Sequence, residues 1–325
     1  MEEAIVLVKD LRKKFRTHKR EAGLLASIKS LFIRKYVNIE ALKGISFQIK
    51  KGEIIGFIGP NGAGKSTAIK VLSGLLFPDS GTVSCLGFNP WNERERYLSN
   101  VGVVFGQKTQ LSWDIPPLDT YYFLKDVYEI PDADFKKRLN YMIKILEIKE
   151  IVKTPTRNLS LGERMRCELI AALLHNPTLV FLDEPTVGVD IIAKEAIREF
   201  ILKLNKEQGT TFIITTHDMG DIEKLCKRIM IINHGEIVYD GSLQDLKQSY
   251  VKTKFIDIKF SEPQEFRFGN YDGKIISKTK IEMKIEVRAK YVNKIISWVL
   301  KNYKVADITV MNPPIEKIIT QIYKK

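Results

Sequence analysis

The stretch GPNGAGKST, residues 59–67, constrains this chain more than any other. It follows the apolar run GEIIGFI and precedes the helix-like run AIKVLSGLL, so a strand enters it and a helix leaves it. Gly59, Pro60, Asn61, Gly62, Ala63, Gly64, Lys65, Ser66 and Thr67 fit the spacing G-x-x-x-x-G-K-[ST]. A polyphosphate needs many donors at close range. Glycines let backbone N–H groups turn inward, and the start of a helix adds its dipole. Lys65 then reaches the β- and γ-phosphates, Ser66 binds Mg²⁺, and Thr67 supplies a further donor.

The surrounding pattern suits such a loop. AIVLVKDL, ALKGISFQI, GTVSCLGF, NVGVVFG, TLVFLDE, TTFIITTH, KRIMIINH and EIVYDG read as strands. Helices follow several of them, near 65–74, 191–207 and 219–226, which predicts a mainly parallel sheet covered on both faces. Residues 108–175 read as mostly helical, broken at Pro116, Pro117, Pro131 and Pro155. A basic insert runs from about 17 to 37, with Leu24, Leu25, Ile28, Leu31 and Phe32 on one helical face. After residue 250 short strands and two helices predict a small separate α/β domain, 251–325.

Two acids end the buried strand of TLVFLDEP. Buried carboxylates are costly unless something engages them, and the carboxyl end of a parallel strand faces the ligand crevice. By strand alternation Asp183 and Glu184 point to opposite sides, Asp183 toward Mg²⁺ and Glu184 toward an attacking water as general base. His217 ends TTFIITTH, and Gln107 follows NVGVVFG. Beside a γ-phosphate a histidine can donate a hydrogen bond and a glutamine can sense Mg²⁺ or water. His18, His175 and His234 read as surface or turn residues.

NLSLGERMR, residues 158–166, has no metal-ligand spacing and reads locally as a capped helix start, with Ser160 and Glu163 forming a capping box. Cys85, Cys167 and Cys226 are far apart and read as buried thiols. No apolar run reaches the ~20 residues of a spanning helix. The N-terminus carries no apolar signal core, so a cytosolic chain is expected. The net charge of +13 suits either a solvated lysine-rich surface or an anionic partner: nucleotide, nucleic acid or membrane surface.

In order, GPNGAGKST, Gln107, LSLGE, FLDEP, VGVD and His217 resemble the ATP-binding subunit of ATP-binding-cassette transporters, over about residues 4–247. GFIGPNGAGKSTAIKVLSGLL is most similar to the ABC-2 type exporter group. The resemblance implies a P-loop NTPase cassette in residues 1–250, with an antiparallel β subdomain and a helical subdomain, followed by the small C-terminal accessory domain. It implies ATP and Mg²⁺ as ligands, with Ser66, Gln107 and Asp183 at the metal and Glu184, His217 and Lys65 in catalysis. Phe15 or Tyr36 would stack on adenine, and Asp190 would be the D-loop acid. Ser160, Leu161, Gly162 and Glu163 stand where the family usually has Ser-Gly-Gly-Gln, a helix end that serves the ATP of a second subunit. Leu161 and Glu163 depart from that pattern. The partners implied are separate integral-membrane permease subunits and a second ATP-binding subunit, identical or similar, at the cytoplasmic face of the cell membrane. The alternative is a soluble cassette ATPase acting on nucleic acid or ribosomes. Those relatives usually carry two cassettes or a long coiled coil, whereas this chain has one phosphate loop and no sustained heptads, so nucleic acid is not the expected partner.

Overall fold

The computed structural model describes residues 3–18, 36–106, 108–250, 253–265 and 273–323. The chain divides into two compact units, Met1–Gly241 and Ser242–Lys325.

The first unit opens with β1 (Ala4–His18) and β2 (Tyr36–Lys50), a long antiparallel pair in which His18 stands opposite Tyr36. Residues at both ends of the basic insert thus continue these strands, and the amphipathic face at Leu24–Phe32 lies outside the described residues. Next come β3 (Ile54–Ile58), α1 (Lys65–Leu72), β4 (Ser80–Cys85), α2 (Arg94–Leu98) and β5 (Val101–Phe105). The helical region comprises α3 (Pro117–Val127), α4 (Asp132–Ile145) and α5 (Leu161–Leu173). Then follow β6 (Leu179–Asp183), α6 (Ile191–Gln208), β7 (Thr211–Thr215), α7 (Met219–Leu225), β8 (Arg228–Asn233) and β9 (Glu236–Ser242).

Strands β5-β6-β7-β3-β8-β9 form one sheet, in that order, with the pairs from β5 to β8 parallel. Every residue of β3 and of β7 is buried, so neither strand alternates between a buried and an exposed face, although Thr211 and Thr215 bring hydroxyls to the ends of β7. A second sheet, β2-β1-β4, is antiparallel. Val6, Leu11, Ile45 and Ile49 from it meet Phe57, Ile69, Leu72 and Met230 in one core. Each such side chain contributes about 1.5–3 kcal/mol by burial. That core fixes α1, and with it the loop before it.

His175 lies in a turn, one of the two places expected for it, but it is only half-exposed. Its ring stacks on Tyr128, with centroids 4.0 Å apart and planes 5° from parallel. Nε2 donates to the Val101 carbonyl at 3.1 Å, so Nδ1 is the unprotonated nitrogen, and it is buried without a partner. A second proton would sit on that nitrogen, and burial pushes the pKa down from 6.5 to about 4. The folded state therefore keeps the ring neutral while the unfolded chain protonates it. Stability is complete above about pH 6.5 and falls as pH drops toward 4, by about 3 kcal/mol in all. His175→Phe keeps a ring on Tyr128 and does not titrate. Its urea midpoint should fall less than the parent's between neutral and acid pH, and an unchanged pH dependence would refute the assignment.

The second unit holds α8 (Leu243–Tyr250), β10 (Thr253–Phe260), β11 (Gly273–Lys278), β12 (Glu282–Arg288), α9 (Val292–Asn302), β13 (Val305–Met311) and α10 (Ile315–Tyr323). Helix α8, assigned by the sequence reading to the first domain, belongs to this unit. Its sheet is antiparallel in the order β11-β12-β10-β13. Met283, Ile285 and Val287 alternate inward along β12 and pack with Ile256, Ile258, Ile295 and Val299.

Candidate functional site

The loop between β3 and α1 closes around its own lysine. Gly64, at the N-cap of α1, has φ +113°, and a Cβ there would stand 2.5 Å from the Ala41 carbonyl oxygen. Only glycine permits both that backbone conformation and that approach. Lys65 is 5% exposed, and its Nζ donates to the carbonyls of Gly59 at 2.7 Å and Pro60 at 3.1 Å. Burial lowers its pKa, while the charges of Glu184 and Asp183 oppose the shift. An ammonium has three donors, so one remains for an incoming anion.

Residues 61–67, Phe105, Gly106, Asp183 and Glu184 line a cleft of about 400 Å³. Asp183 is the last residue of β6, and its Oδ1 accepts from Ser66 Oγ at 2.9 Å and Thr215 Oγ1 at 2.5 Å. Adjacent hydroxyl and carboxylate oxygens are the hard donors a small divalent cation takes alongside phosphate oxygens. Among the described residues no group of three or more His, Cys, Asp or Glu could hold a metal ion, so the fit is to a cation shared with a phosphate ligand. Gln107, the third residue expected at a metal, lies outside the described residues.

The two acids do not separate by strand alternation as expected. β6 ends at Asp183, and Glu184 turns out of it with φ +56°, so both acids line the same cleft. That left-handed conformation costs energy for a side chain with a Cβ, and such strain persists only where surrounding contacts impose it. Here the Glu184 N–H donates to Thr215, to the carbonyl at 3.0 Å and to Oγ1 at 3.1 Å. His217 Nδ1 lies 3.3 Å from Glu184 Oε1. Thr215 thus serves both acids, a role the sequence reading missed. Its only signal was the pair of hydroxyls preceding His217 in TTH.

Ser160, exposed at the surface, caps α5. Its N–H donates to Glu163 Oε2 at 2.8 Å, and its Oγ accepts from the Glu163 N–H at 3.3 Å, completing the capping box. The bond from the Ser160 N–H keeps the Glu163 carboxyl below its ordinary pKa. The Ser160 hydroxyl also hydrogen-bonds the Glu163 carboxylate, so it can donate to another acceptor only by exchanging that bond. Leu161 packs over Gly188, where a Cβ would come within 2.8 Å of Leu161 Cδ2. Asp190 caps α6, accepting from the Ala193 N–H at 2.9 Å, and Gly162 packs against it. Both departures from the family pattern are therefore satisfied within this chain.

Phe15 and Tyr36 lie on the β1–β2 pair. Phe15 stands opposite Ile39 and His18 opposite Tyr36, so by alternation Phe15 and Tyr36 point to opposite faces. Both are exposed, and the Arg16 guanidinium stacks on Tyr36, 3.8 Å from the ring centroid.

A glycine-rich loop on a helix N-terminus, a buried lysine inside it and two carboxylates across the cleft define a P-loop ATPase cassette. The ABC transporter family matches residues 42–187. The chain is 30% identical to the ABC transporter ATP-binding protein NatA of Bacillus subtilis (strain 168), over 65% of this chain and 85% of that protein. It is 38% identical to the linearmycin resistance ATP-binding protein LnrL of the same organism, over 63% of this chain and 65% of that protein. Among solved structures it resembles the ATP-binding cassette MJ0796, a dimer bound to ADP and Pi in a post-hydrolysis state. That match has a TM-score of 0.61 at 26% identity, covering 73% of this chain and 98% of the other. The chain belongs to the ATP-binding subunits of ABC transporters. It is an ATPase whose hydrolysis powers transport.

Proposed function

We propose that this chain drives export through separate integral-membrane subunits, as one half of a head-to-tail pair of ATP-binding subunits. The observation that carries this reading is the surface that follows β5. Trp113, Tyr122 and Phe123 are 49%, 48% and 65% exposed, with Ile115 and Val127 beside them in sequence also exposed. Exposed aromatics gathered on one segment mark a protein contact. Tyr121 does not belong to it, being fully buried with its hydroxyl donating to the Cys167 carbonyl at 3.0 Å. A neighbouring groove between α3 and α4, lined by Leu118, Phe135, Leu139 and Ile143, is edged by Lys136, Lys144, Lys149 and Lys153. No described helix is long and apolar enough to cross a membrane. Export is supported by the name of the resistance protein LnrL and by the GPNGAGKSTAIKVLSGLL segment.

In this reading the phosphate loop and Lys65 hold the β- and γ-phosphates. Ser66, Gln107 and Asp183 would hold Mg²⁺, which when bound neutralises charge on the phosphate oxygens. Glu184 takes the proton of the attacking water as its oxygen bonds to the γ-phosphorus, and the bond to the β-phosphate oxygen breaks to leave ADP. His217 faces the same phosphate. Ser160 of each subunit donates to the ATP held by the other, with the α5 dipole behind it. ATP binding closes the pair and hydrolysis reopens it. Phe15 lies within β1, before the phosphate loop, and we assign it the adenine, leaving Tyr36 to Arg16.

Phe123→Asp tests the docking surface. At 65% exposure the substitution spares the core. In pull-downs from detergent-solubilised membranes of the source cell, recovery of integral-membrane proteins on the tagged chain should fall on the order of tenfold or more. ATP binding should persist. Unchanged recovery would refute the surface.

A further inference from the structure

Asp221 is 1% exposed, lies outside the cleft, and has no part in the chemistry above. Its carboxylate nevertheless gathers the segments that carry the two catalytic groups. Oδ2 accepts from the Thr186 hydroxyl, two residues after Glu184. The same oxygen accepts from Thr216 Oγ1 at 3.1 Å, and Thr216 directly precedes His217. Oδ1 accepts from Arg198, at 2.7 Å from Nε and 2.6 Å from Nη2. Thr186 and Thr216 are themselves buried.

The remaining neighbours tighten the same clasp. Thr216 Oγ1 accepts from the Asp218 N–H at 2.9 Å. Asp218 accepts from Lys194 Nζ at 2.5 Å and lies 3.6 Å from Arg198 Nη2. His217 is therefore held on both sides, by Thr216 and by Asp218, while its own ring is exposed. Lys194 and Arg198 belong to α6, the helix that begins at Asp190. A buried carboxylate is tolerated only when its lone pairs are filled, and here a guanidinium and two hydroxyls fill them.

We propose that Asp221 is a positioning residue that fixes Glu184 and His217 in register across the γ-phosphate, through Thr186 and Thr216, and that Arg198 ties this register to the helix carrying Asp190. One oxygen atom sets both distances. Loss of either hydroxyl releases one catalytic segment without touching nucleotide. The inference rests on the roles given above to Glu184 and His217.

The test uses Thr216→Val and Thr186→Val in the full chain, which change a hydroxyl to a methyl and leave the Asp221–Arg198 pair in place. Single-turnover ATP hydrolysis, with protein in excess, should slow by about 10- to 100-fold, the scale of a misplaced catalytic group. ATP affinity should not change, because neither residue lines the cleft. Thr216→Ser should restore the rate, since its hydroxyl is retained. The deciding measurement is a double-mutant cycle. In a His217→Ala chain, Thr216→Val should add no further loss, because the group it positions is gone. In a Glu184→Gln chain, Thr186→Val should likewise add none. A purely structural defect would slow both backgrounds by the same factor and overturn the proposal, as would parental rates in the two valine variants. If His217→Ala or Glu184→Gln alone retains the parental rate, the catalytic reading itself fails and the proposal falls with it. If those variants are slow while the valine variants are not, only the positioning role is lost.

Discussion

Glu184→Gln is expected to bind ATP as the parent does and to lose roughly 10²–10⁴-fold in turnover, the usual contribution of a positioned general base. The substitution is nearly isosteric, and the contacts that impose φ +56° at this residue come from its backbone N–H to Thr215, so the turn survives. The amide can still lie 3.3 Å from His217 but cannot take the proton of water. With closure intact and reopening blocked, Mg-ATP should drive the variant into a stable dimer, visible by size exclusion, while the parent cycles through it. Near-parental turnover would remove Glu184 from the role of base. Loss of ATP binding would show that the carboxylate is needed instead to hold the Lys65 ammonium, whose charge it supports.

The largest structural claim of the proposed cycle is that Ser160 serves another chain. Ser160→Arg fills the phosphate space before α5 with a cation that stays charged. Lys65→Ala removes the ammonium from the loop of the chain that holds the nucleotide. Each variant alone carries a defect in both composite sites of its homodimer, and ATP occlusion should be abolished in each. Mixed together they form heterodimers in which one site bears both lesions and the other bears neither. Occlusion should therefore return in a fraction of the mixture, measured as nucleotide retained through rapid desalting. Normal occlusion by Ser160→Arg alone would leave Ser160 as a helix cap and nothing more. No recovery on mixing, with heterodimers demonstrated by differently tagged chains, would place both lesions in the same chain's site.

The departures at Leu161 and Glu163 illustrate what sequence could and could not resolve. From spacing alone, a leucine and an acid beside a phosphate-directed serine read as damage. In the folded chain Leu161 lies in the space that Gly188 leaves by lacking a Cβ, and Glu163 is held by the Ser160 N–H. The capping box was legible because it is a local motif of four residues. The Leu161–Gly188 fit was not, because it joins positions far apart in the chain whose approach depends on α5 packing against α6. The turn at His175 was legible, but the packing of its ring was not, for the same reason: it is covered by Tyr128, from a different helix region.

The sequence alone determined the phosphate loop, the strand–helix alternation and the order of the site residues. Those signals are short in range: a glycine with φ +113° before a lysine helix, and apolar runs such as IIGFI that bury on both faces. Tertiary structure alone brought both acids to one cleft. β6 stops at Asp183, and Thr215 on the neighbouring strand pulls Glu184 out of the pleat, so alternation within β6 could not foretell it. It alone also gave Asp221 its partners, since Thr186, Arg198 and Thr216 converge only when β6, α6 and β7 are packed together. The physical reason is one of range. Backbone conformation and apolar periodicity are set by neighbours along the chain, whereas the filling of a buried carboxylate's lone pairs is set by whichever hydroxyls and cations the fold delivers.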